Sequence, residues 1–324
     1  MEASGFKCER CGAPLDVSPE TIVAVCPYCG FPNHISGSIS TENIFIAPSL
    51  GKDDIYRAFM HRVERDVDLR SLRDDIQVVE IEGRYVPYWD GRVYLKGEVK
   101  YMRRETECHT VTDSEGNTRE ECHTVERHYH EFIDRNLHLM GSARRQVTDF
   151  GINDIIKHYK KKFPELKPLK ELDEDEWQRI KLEILNTEMD ERQARMLMKE
   201  DAVDVVREEY KAKSDRIEYF RCMPGEPEDV KLVLLPVWTV YYRYGNSIFK
   251  VAFSGWDGKG VAATEPMTAL RRAMYVGGII LGIVIGGIGA GVISSGAAII
   301  PLVAGAGIAY YSGSKVLAGT RVER

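Results

Sequence analysis

The stretch RYVPYWDGRVYLKGEVKY, residues 84–101, decides the fold of this chain. Its aromatic and β-branched residues favour an extended strand, and a second stretch of this kind, TREECHTVERHYHEFIDRNLHL, follows at residues 118–139. Turn-forming residues at 113–117 lie between the two stretches and predict a long hairpin. Further strands are predicted at 76–81, 231–244, 247–254 and 260–264. The body of the protein is therefore expected to be mainly antiparallel β-sheet.

Two segments of these strands share a proline and a tryptophan at the same offset, YVPYW at 85–89 and LLPVW at 234–238. The repeat indicates either two related half-sheets or a chance similarity. Because proline has no N–H for a ladder hydrogen bond, each segment is expected at a sheet edge or a bulge. Each tryptophan is expected to anchor the packing.

A helical segment is predicted between residues 151 and 215. Apolar residues at helical spacing, such as Ile152, Ile155 and Tyr159 in one stripe and Met198 and Val206 in another, predict faces that pack on a core. The segment therefore inserts helices between two groups of strands.

Four cysteines near the N-terminus have the spacing of a metal site. They are Cys8, Cys11, Cys26 and Cys29, which form two C-x2-C pairs separated by 14 residues. Four thiolates at this spacing make a closed tetrahedral Zn2+ site. Gly12 and Gly30 follow the pairs and allow the tight turns that direct N–H groups at the sulfurs. The pattern predicts a structural zinc ribbon over residues 1–37.

The charge of the N-terminal module argues against nucleic acid as its partner. Residues 1–43 contain only two basic side chains, Lys7 and Arg10, against five acidic ones. Binding to phosphates needs a cationic face. We therefore expect a protein partner, of unknown identity, and no nucleic-acid binding.

Residues 273–314 form a run of 42 residues without a charged side chain. A single helix of this length would be nearly twice as long as a bilayer core is thick, so the run predicts a transmembrane hairpin. Its arms are expected at 275–293 and 297–311, with a turn at 294–296. Cationic residues lie on both sides of the run, which predicts a multi-pass cell-membrane protein with both termini in the cytoplasm.

Small residues recur every four positions in the first arm, at Gly278, Gly282 and Gly286. Such a stripe lets another helix approach backbone to backbone. The approaching helix is either the second arm or another copy of the chain, in which case the stripe would make a homo-oligomer.

The rest of the chain fits the cytosolic side of that membrane. The first 272 residues contain 41 Lys and Arg against 49 Asp and Glu, and no secretory leader pattern opens the chain. Seven cysteines, four of them at metal spacing, fit a reducing cytosol better than a disulfide scaffold.

The predicted fold class is α+β, with an N-terminal zinc ribbon, a mainly antiparallel β body that carries a helical insertion, and a C-terminal transmembrane helical hairpin. The predicted segments are 1–37, 44–150, 151–215, 216–268 and 273–314.

The order of several features resembles a known family. They are the two cysteine pairs, the strand-helix segment 45–63 leading into 85–89, the segment 235–238, and the hairpin 256–260 followed by Glu265 and Pro266. This order resembles prokaryotic membrane-anchored proteins with a TFIIB-type zinc ribbon, sometimes labelled replication-factor-Y-like. The resemblance implies a membrane-anchored adaptor without an established enzyme activity. The replication label has no support in this sequence, because the G-x-x-x-x-G-K-[ST] loop of a helicase motor is absent.

The sequence ECHTV occurs twice, at 107–111 and 121–125. Symmetric pairing about the turn places Cys108 opposite Cys122, and strand alternation directs both cysteines to one face and His109 and His123 to the other. Three interpretations follow: a packed thiol pair with polar histidines outside, a reversible disulfide, or a second metal site.

A second metal site at this hairpin would need further ligands. His128 and His130 have the same strand parity as Cys122. A site made of Cys108, Cys122 and one of these histidines requires a strong bend of the hairpin or a second chain. These four residues are the candidate second metal or redox site.

Enzyme motifs such as G-x-S-x-G and H-E-x-x-H are absent, so no enzyme activity is predicted. The expected function is a membrane-anchored, cytosol-facing zinc-ribbon adaptor that recruits or organises a protein partner at the membrane. The alternative is a redox- or metal-responsive membrane sensor that works through Cys108 and Cys122.

Overall fold

The computed structural model describes residues 6–15, 17, 21, 23–35, 43–112, 118–144, 150–172, 182–185, 187–267, 269–292, 299–318 and 320–323. Within these residues the strands are β1 (Val23–Val25), β2 (Pro32–His34), β3 (Ile44–Ile46), β4 (Gln77–Thr112), β5 (Thr118–Ser142), β6 (Lys167–Pro168), β7 (Glu183–Ile184), β8 (Arg216–Pro224), β9 (Glu228–Tyr244), β10 (Ser247–Ser254), β11 (Gly260–Pro266) and β12 (Thr320–Glu323). The helices are α1 (Lys52–Arg65), α2 (Val67–Arg70), α3 (Ile152–Lys161), α4 (Glu191–Lys213), α5 (Ala269–Val292) and α6 (Ile299–Ala318).

The strand β4, which is 36 residues long, organises one large sheet. Its first part pairs antiparallel with β9, and from Leu95 to Met102 the same edge pairs with β8. Its other edge pairs with β5 from Tyr88 to Thr112. Of the strands in the described ranges, ten belong to this sheet. The protein is thus mixed α+β with a large antiparallel sheet, and the two strands predicted at 76–81 and 84–101 are one strand.

The two proline-tryptophan segments pair with each other in the interior of the sheet, not at its edges. Tyr85 lies opposite Pro236, and Pro87 lies opposite Leu234, so the pairing is symmetric about Val86 and Leu235, which face each other. The expected edge position is therefore wrong. The reason for expecting it, which is that proline cannot donate a ladder hydrogen bond, still applies at each proline. The carbonyl of Pro87 accepts the N–H of Ala143, directly after β5 ends, and the carbonyl of Pro236 accepts the N–H that follows the end of β10. Each proline lies where a neighbouring strand ends, so its missing N–H costs little.

Two apolar cores cover opposite faces of the sheet. One contains Ile55 and Phe59 from α1 together with Met198 and Val206 from α4. The other contains Tyr159 and two isoleucines from α3. The helical segment predicted at 151–215 is thus divided, because α3 and α4 pack on different faces. Most residues of the predicted apolar stripes are buried, but Leu197 and Val205, which the second stripe also contained, are exposed.

The helices α5 and α6 pack against each other along the glycine stripe. A Cβ atom added at Gly282 would lie 2.6 Å from the carbonyl oxygen of Gly305. Gly278 faces Ser312, and Gly286 faces Gly305 from the other side. The stripe therefore contacts the second helix of the same chain, which is the first of the two alternatives that the sequence left open.

The predicted transmembrane hairpin is wrong for the part of the chain that the structure describes. Across those residues, none of the helices combines the length and the apolar character needed to span a bilayer. The multi-pass cell-membrane localisation is corrected together with the hairpin. The turn predicted at 294–296 lies outside the described residues.

The close contact at Gly282 predicts opposite effects for two matched substitutions. Gly282→Ala is expected to destabilise the helix pair by about 1–3 kcal/mol, because the added methyl group overlaps the backbone of α6. Gly287→Ala is the control, since nothing lies within 4 Å of a Cβ atom there. It should stabilise α5 by up to about 1 kcal/mol through helix propensity. Amide hydrogen exchange of α5 and α6 measures both changes, and equal protection in the two variants would contradict the packing.

Candidate metal centre and the Cys-His arm

The N-terminal cysteines lie in two equivalent backbone turns. In the first, the N–H of Gly12 donates to the carbonyl of Cys8 (2.9 Å), and the N–H of Cys8 donates to the carbonyl of Ala13 (2.8 Å). The second turn repeats both bonds around Cys26 and Gly30. Both glycines have a positive φ, 73° and 72°, which residues with a Cβ atom rarely adopt. The backbone therefore confirms the predicted role of these glycines, which is to allow the tight turns.

The two turns bring four sulfur atoms together. The Sγ atoms of Cys8 and Cys29 are 3.6 Å apart, and so are those of Cys11 and Cys26. All four Sγ atoms lie within 4.8 Å of one another. A tetrahedral ion with metal–sulfur bonds of about 2.3 Å needs sulfur–sulfur separations of roughly 3.8 Å. The four cysteines are therefore placed to hold one metal ion.

The electrostatics of this cluster favour a bound cation. Burial opposes ionisation of Cys8, but the N–H groups of Cys11 and Arg10 and the side chain of Asn33 outweigh it and lower the pKa of that thiol to about 6. At Cys29 the N–H of Phe31 favours the thiolate, yet burial and the neighbouring sulfurs raise its pKa to about 12. The thiolates repel one another, so all four can ionise together only when a positive charge lies between them.

Asn33 connects the two halves of the cluster, and sequence reasoning missed it. Its buried side chain donates to the Sγ of Cys8 (3.5 Å) and to the carbonyl of Phe31 (2.8 Å), and it accepts the N–H of Glu9 (2.8 Å). Such contacts orient a ligand and tune its basicity. The available signal was an asparagine inside a short strand between the cysteine pair and the linker, which is weak by itself.

The metal module has a small core of its own and a contact with the body. Leu15, Ala24 and Ile35 are buried beside the cysteines. Val25 of β1 packs against the larger core of the sheet. The four-cysteine cluster is thus held next to the body by the strand that precedes its second pair.

The second predicted site lies on a two-stranded projection of β4 and β5, here called the arm, residues 103–112 and 118–127. Cys108 lies opposite Cys122, with Cα atoms 4.0 Å apart, and the two are joined by a disulfide. Both residues are exposed. The sequence left three interpretations of this cysteine pair open, and the structure contains the disulfide.

His128 and His130 do not join the sulfurs. The Nδ1 atom of His128 lies 3.1 Å from a carboxylate oxygen of Glu218, and the Nε2 atom of His130 lies 2.9 Å from one of Glu98. The predicted set of two cysteines and one of these histidines is therefore not assembled. The other two histidines, His109 and His123, lie together, with ring centroids 4.7 Å apart.

No protein-family model, curated protein or solved structure matches this chain. The resemblance to the TFIIB-type zinc-ribbon family therefore stays a prediction. Function is inferred below from the chemistry of the sites themselves.

The position of Asn33 predicts an effect on metal affinity without loss of a ligand. Asn33→Ala should weaken binding of added Zn2+ by about 10- to 100-fold, because the hydrogen bond to Cys8 and the link to Phe31 are lost. Competition with a chromophoric chelator measures the affinity. Asn136→Ala, an exposed asparagine on β5, is the matched control and should bind as the unchanged chain does. Equal affinities for the two variants would show that Asn33 does not position the sulfur.

Proposed function

We propose that this chain is a zinc-ribbon adaptor, in which Zn2+ orders the N-terminal module and that module binds a protein partner. The observation that supports it is the closed arrangement of four cysteine sulfurs on two equivalent turns. Four protein ligands fill all tetrahedral positions, which leaves none for a substrate. The ion therefore has a structural role, and the proposal contains no catalytic step.

Zinc is the proposed ion because its preferences fit this donor set. Tetrahedral sites of four sulfurs hold zinc or iron. Zinc has no redox chemistry and takes this geometry in structural ribbons. The ordering it provides matters here, since a module with only a few buried side chains cannot fold on apolar burial alone.

The surface of the module supports a protein as the partner. Tyr28 lies at the tip of the second cysteine turn, and 74% of its surface is exposed. An exposed aromatic ring on a rigid turn is a typical anchor of a protein interface. The module has an excess of acidic over basic residues, which does not suit a phosphate backbone.

The adaptor proposal is tested by removing the metal and the anchor separately. Proteins cross-linked in cells to the tagged full chain are quantified by mass spectrometry, together with the zinc content of the purified chain. Cys26→Ser/Cys29→Ser should lose the zinc and the partner, whereas Tyr28→Ala should keep one zinc per chain and lose the partner. Tyr56→Ala, an exposed tyrosine on α1, is the control and should keep both.

Two results would overturn this proposal. A partner set that is unchanged in the variant without zinc would remove the recruiting role of the ribbon. Iron in place of zinc, seen by its metal content and visible absorbance, would remove the assignment of the ion.

A second candidate function is a redox response of the arm, which the exposed disulfide favours. Two electrons and two protons from a dithiol reductant would convert the Cys108–Cys122 disulfide into two thiols, and the reductant would leave as its own disulfide. The arm has no core, and two-stranded hairpins are marginal in water. Reduction would therefore loosen the arm while the sheet keeps its structure.

Removal of the cross-link is expected to change the arm alone. Cys108→Ser/Cys122→Ser should speed amide hydrogen exchange in the arm, because a cross-link over 14 residues contributes about 3 kcal/mol. Exchange in the part of β4 that pairs with β9 should not change. Cys222→Ser, at a partly buried cysteine on β8, is the control and should leave the arm as it is. An arm that stays equally protected without its disulfide would exclude this response.

A further inference from the structure

The arm carries a second cluster of metal-binding groups on the face opposite the disulfide. Glu107 lies directly opposite His123, and His109 lies opposite Glu121. Alternation along each strand places these four side chains on one face and the two cysteines on the other. A carboxylate oxygen of Glu107 and one ring nitrogen each of His109 and His123 lie within 4.8 Å of one another.

Two imidazoles and a carboxylate at this separation can bind one ion. A metal with bonds of about 2.0–2.2 Å to nitrogen and oxygen holds ligand atoms roughly 3–4 Å apart, so small side-chain rotations suffice. Both histidines are exposed, and their rings lie 4.7 Å apart at 48° to each other, without a stacked arrangement that would have to be broken. We propose that Glu107, His109 and His123 bind one divalent transition-metal ion of the Zn2+, Ni2+ or Cu2+ class.

The neighbouring charges leave Glu107 able to bind. Arg127 donates to Glu107 and also lies 3.1 Å from a carboxylate oxygen of Glu105. The guanidinium of Arg127 contacts both carboxylates, so it can keep its ion pair with Glu105 when Glu107 turns to the metal. Glu121, the next carboxylate on this face, pairs with Arg119. Three protein ligands leave at least one position open for water or for a group from another molecule.

The disulfide preorganises this site from the other face. Cys108 lies between Glu107 and His109 along β4, and Cys122 lies between Glu121 and His123 along β5. The cross-link fixes the register of the strands at the residues between the ligands. Beyond Met102, where the pairing with β8 ends, the described part of the arm has no third strand that could do so. Ligands held in register lose less freedom on binding, so the oxidised arm binds the metal more tightly than the reduced arm.

This site lies outside the zinc ribbon and does not depend on the adaptor proposal. It also differs from the site expected from the sequence, because it uses neither cysteine and neither His128 nor His130. The exposed position in the middle of the arm fits an ion that is taken up from solution and not one that is built in during folding.

The test is calorimetric titration of Zn2+ into the full oxidised chain after its four-cysteine cluster has been filled. A second equivalent is expected to bind. It should be lost in His109→Ala/His123→Ala and weakened in Glu107→Gln. His128→Ala/His130→Ala is the matched control. It removes two histidines of β5 and should bind as the unchanged chain does. Cys108→Ser/Cys122→Ser should bind about tenfold more weakly, since its ligands remain but their register is loose.

Three results would overturn the proposal. The first is the absence of a second equivalent in the oxidised chain. The second is a second equivalent that survives in His109→Ala/His123→Ala. The third is loss of binding in the His128→Ala/His130→Ala control, which would place the ion at the base of the arm and not at Glu107, His109 and His123. Amide hydrogen exchange in the part of β4 that pairs with β9 is measured in each variant, and unchanged protection there shows that the sheet is folded.

Discussion

The antiparallel ladder between β4 and β9 is the interaction on which the rest of the structure depends. Between Tyr85 and Trp89 both strands of this ladder are buried on both faces, with Tyr85 and Trp89 in one core and Val86 and Tyr88 in the other. Every other strand of the sheet reaches it directly or through one neighbour, except β12, which reaches it through β11 and β10. The helices α1 and α4 cover one face and α3 covers the other, so the two cores exist only because this ladder separates them.

The length of β4 links the core to both candidate sites. The strand continues beyond β9 and β8 and becomes one side of the arm, so the arm starts from a rigid base and has no core of its own. The metal module is equally small and contacts the body through Val25. Parts of this size cannot bury enough apolar surface to be stable alone. Each of these two parts has a cross-link instead of a large apolar core. The module has four cysteines around a proposed metal ion, and the arm has a disulfide.

Local patterns predicted the elements well where one physical rule dominates. Residues such as Ile152 and Met198 identify the buried faces of α3 and α4 because helical spacing alone selects a face. The C-x2-C pairs with Gly12 and Gly30 predict the metal turns for a similar reason, since the spacing leaves a single local geometry. The pairing of Cys108 with Cys122 follows from the symmetry of the hairpin around its turn.

Predictions failed where the outcome depends on neighbours that are distant in sequence. The prolines of the repeated segments lie inside the sheet because strands end beside them, which no local rule shows. The uncharged run at 273–314 forms most of two helices that pack on each other through glycine, although the sequence predicted a transmembrane hairpin there. Asn33 was missed because a single amide acquires its role only when two turns close around it.

Local sequence patterns are therefore enough to predict the strands β4, β5, β9, β10 and β11, most of the helical faces, the four metal-spaced cysteines and the register of the arm, because each follows from contacts a few residues apart or across one turn. Packing across the whole sheet decides which helix covers which face and where the prolines are tolerated. Those outcomes depend on the positions at which other strands begin and end, and such positions are fixed only when the whole sheet is packed.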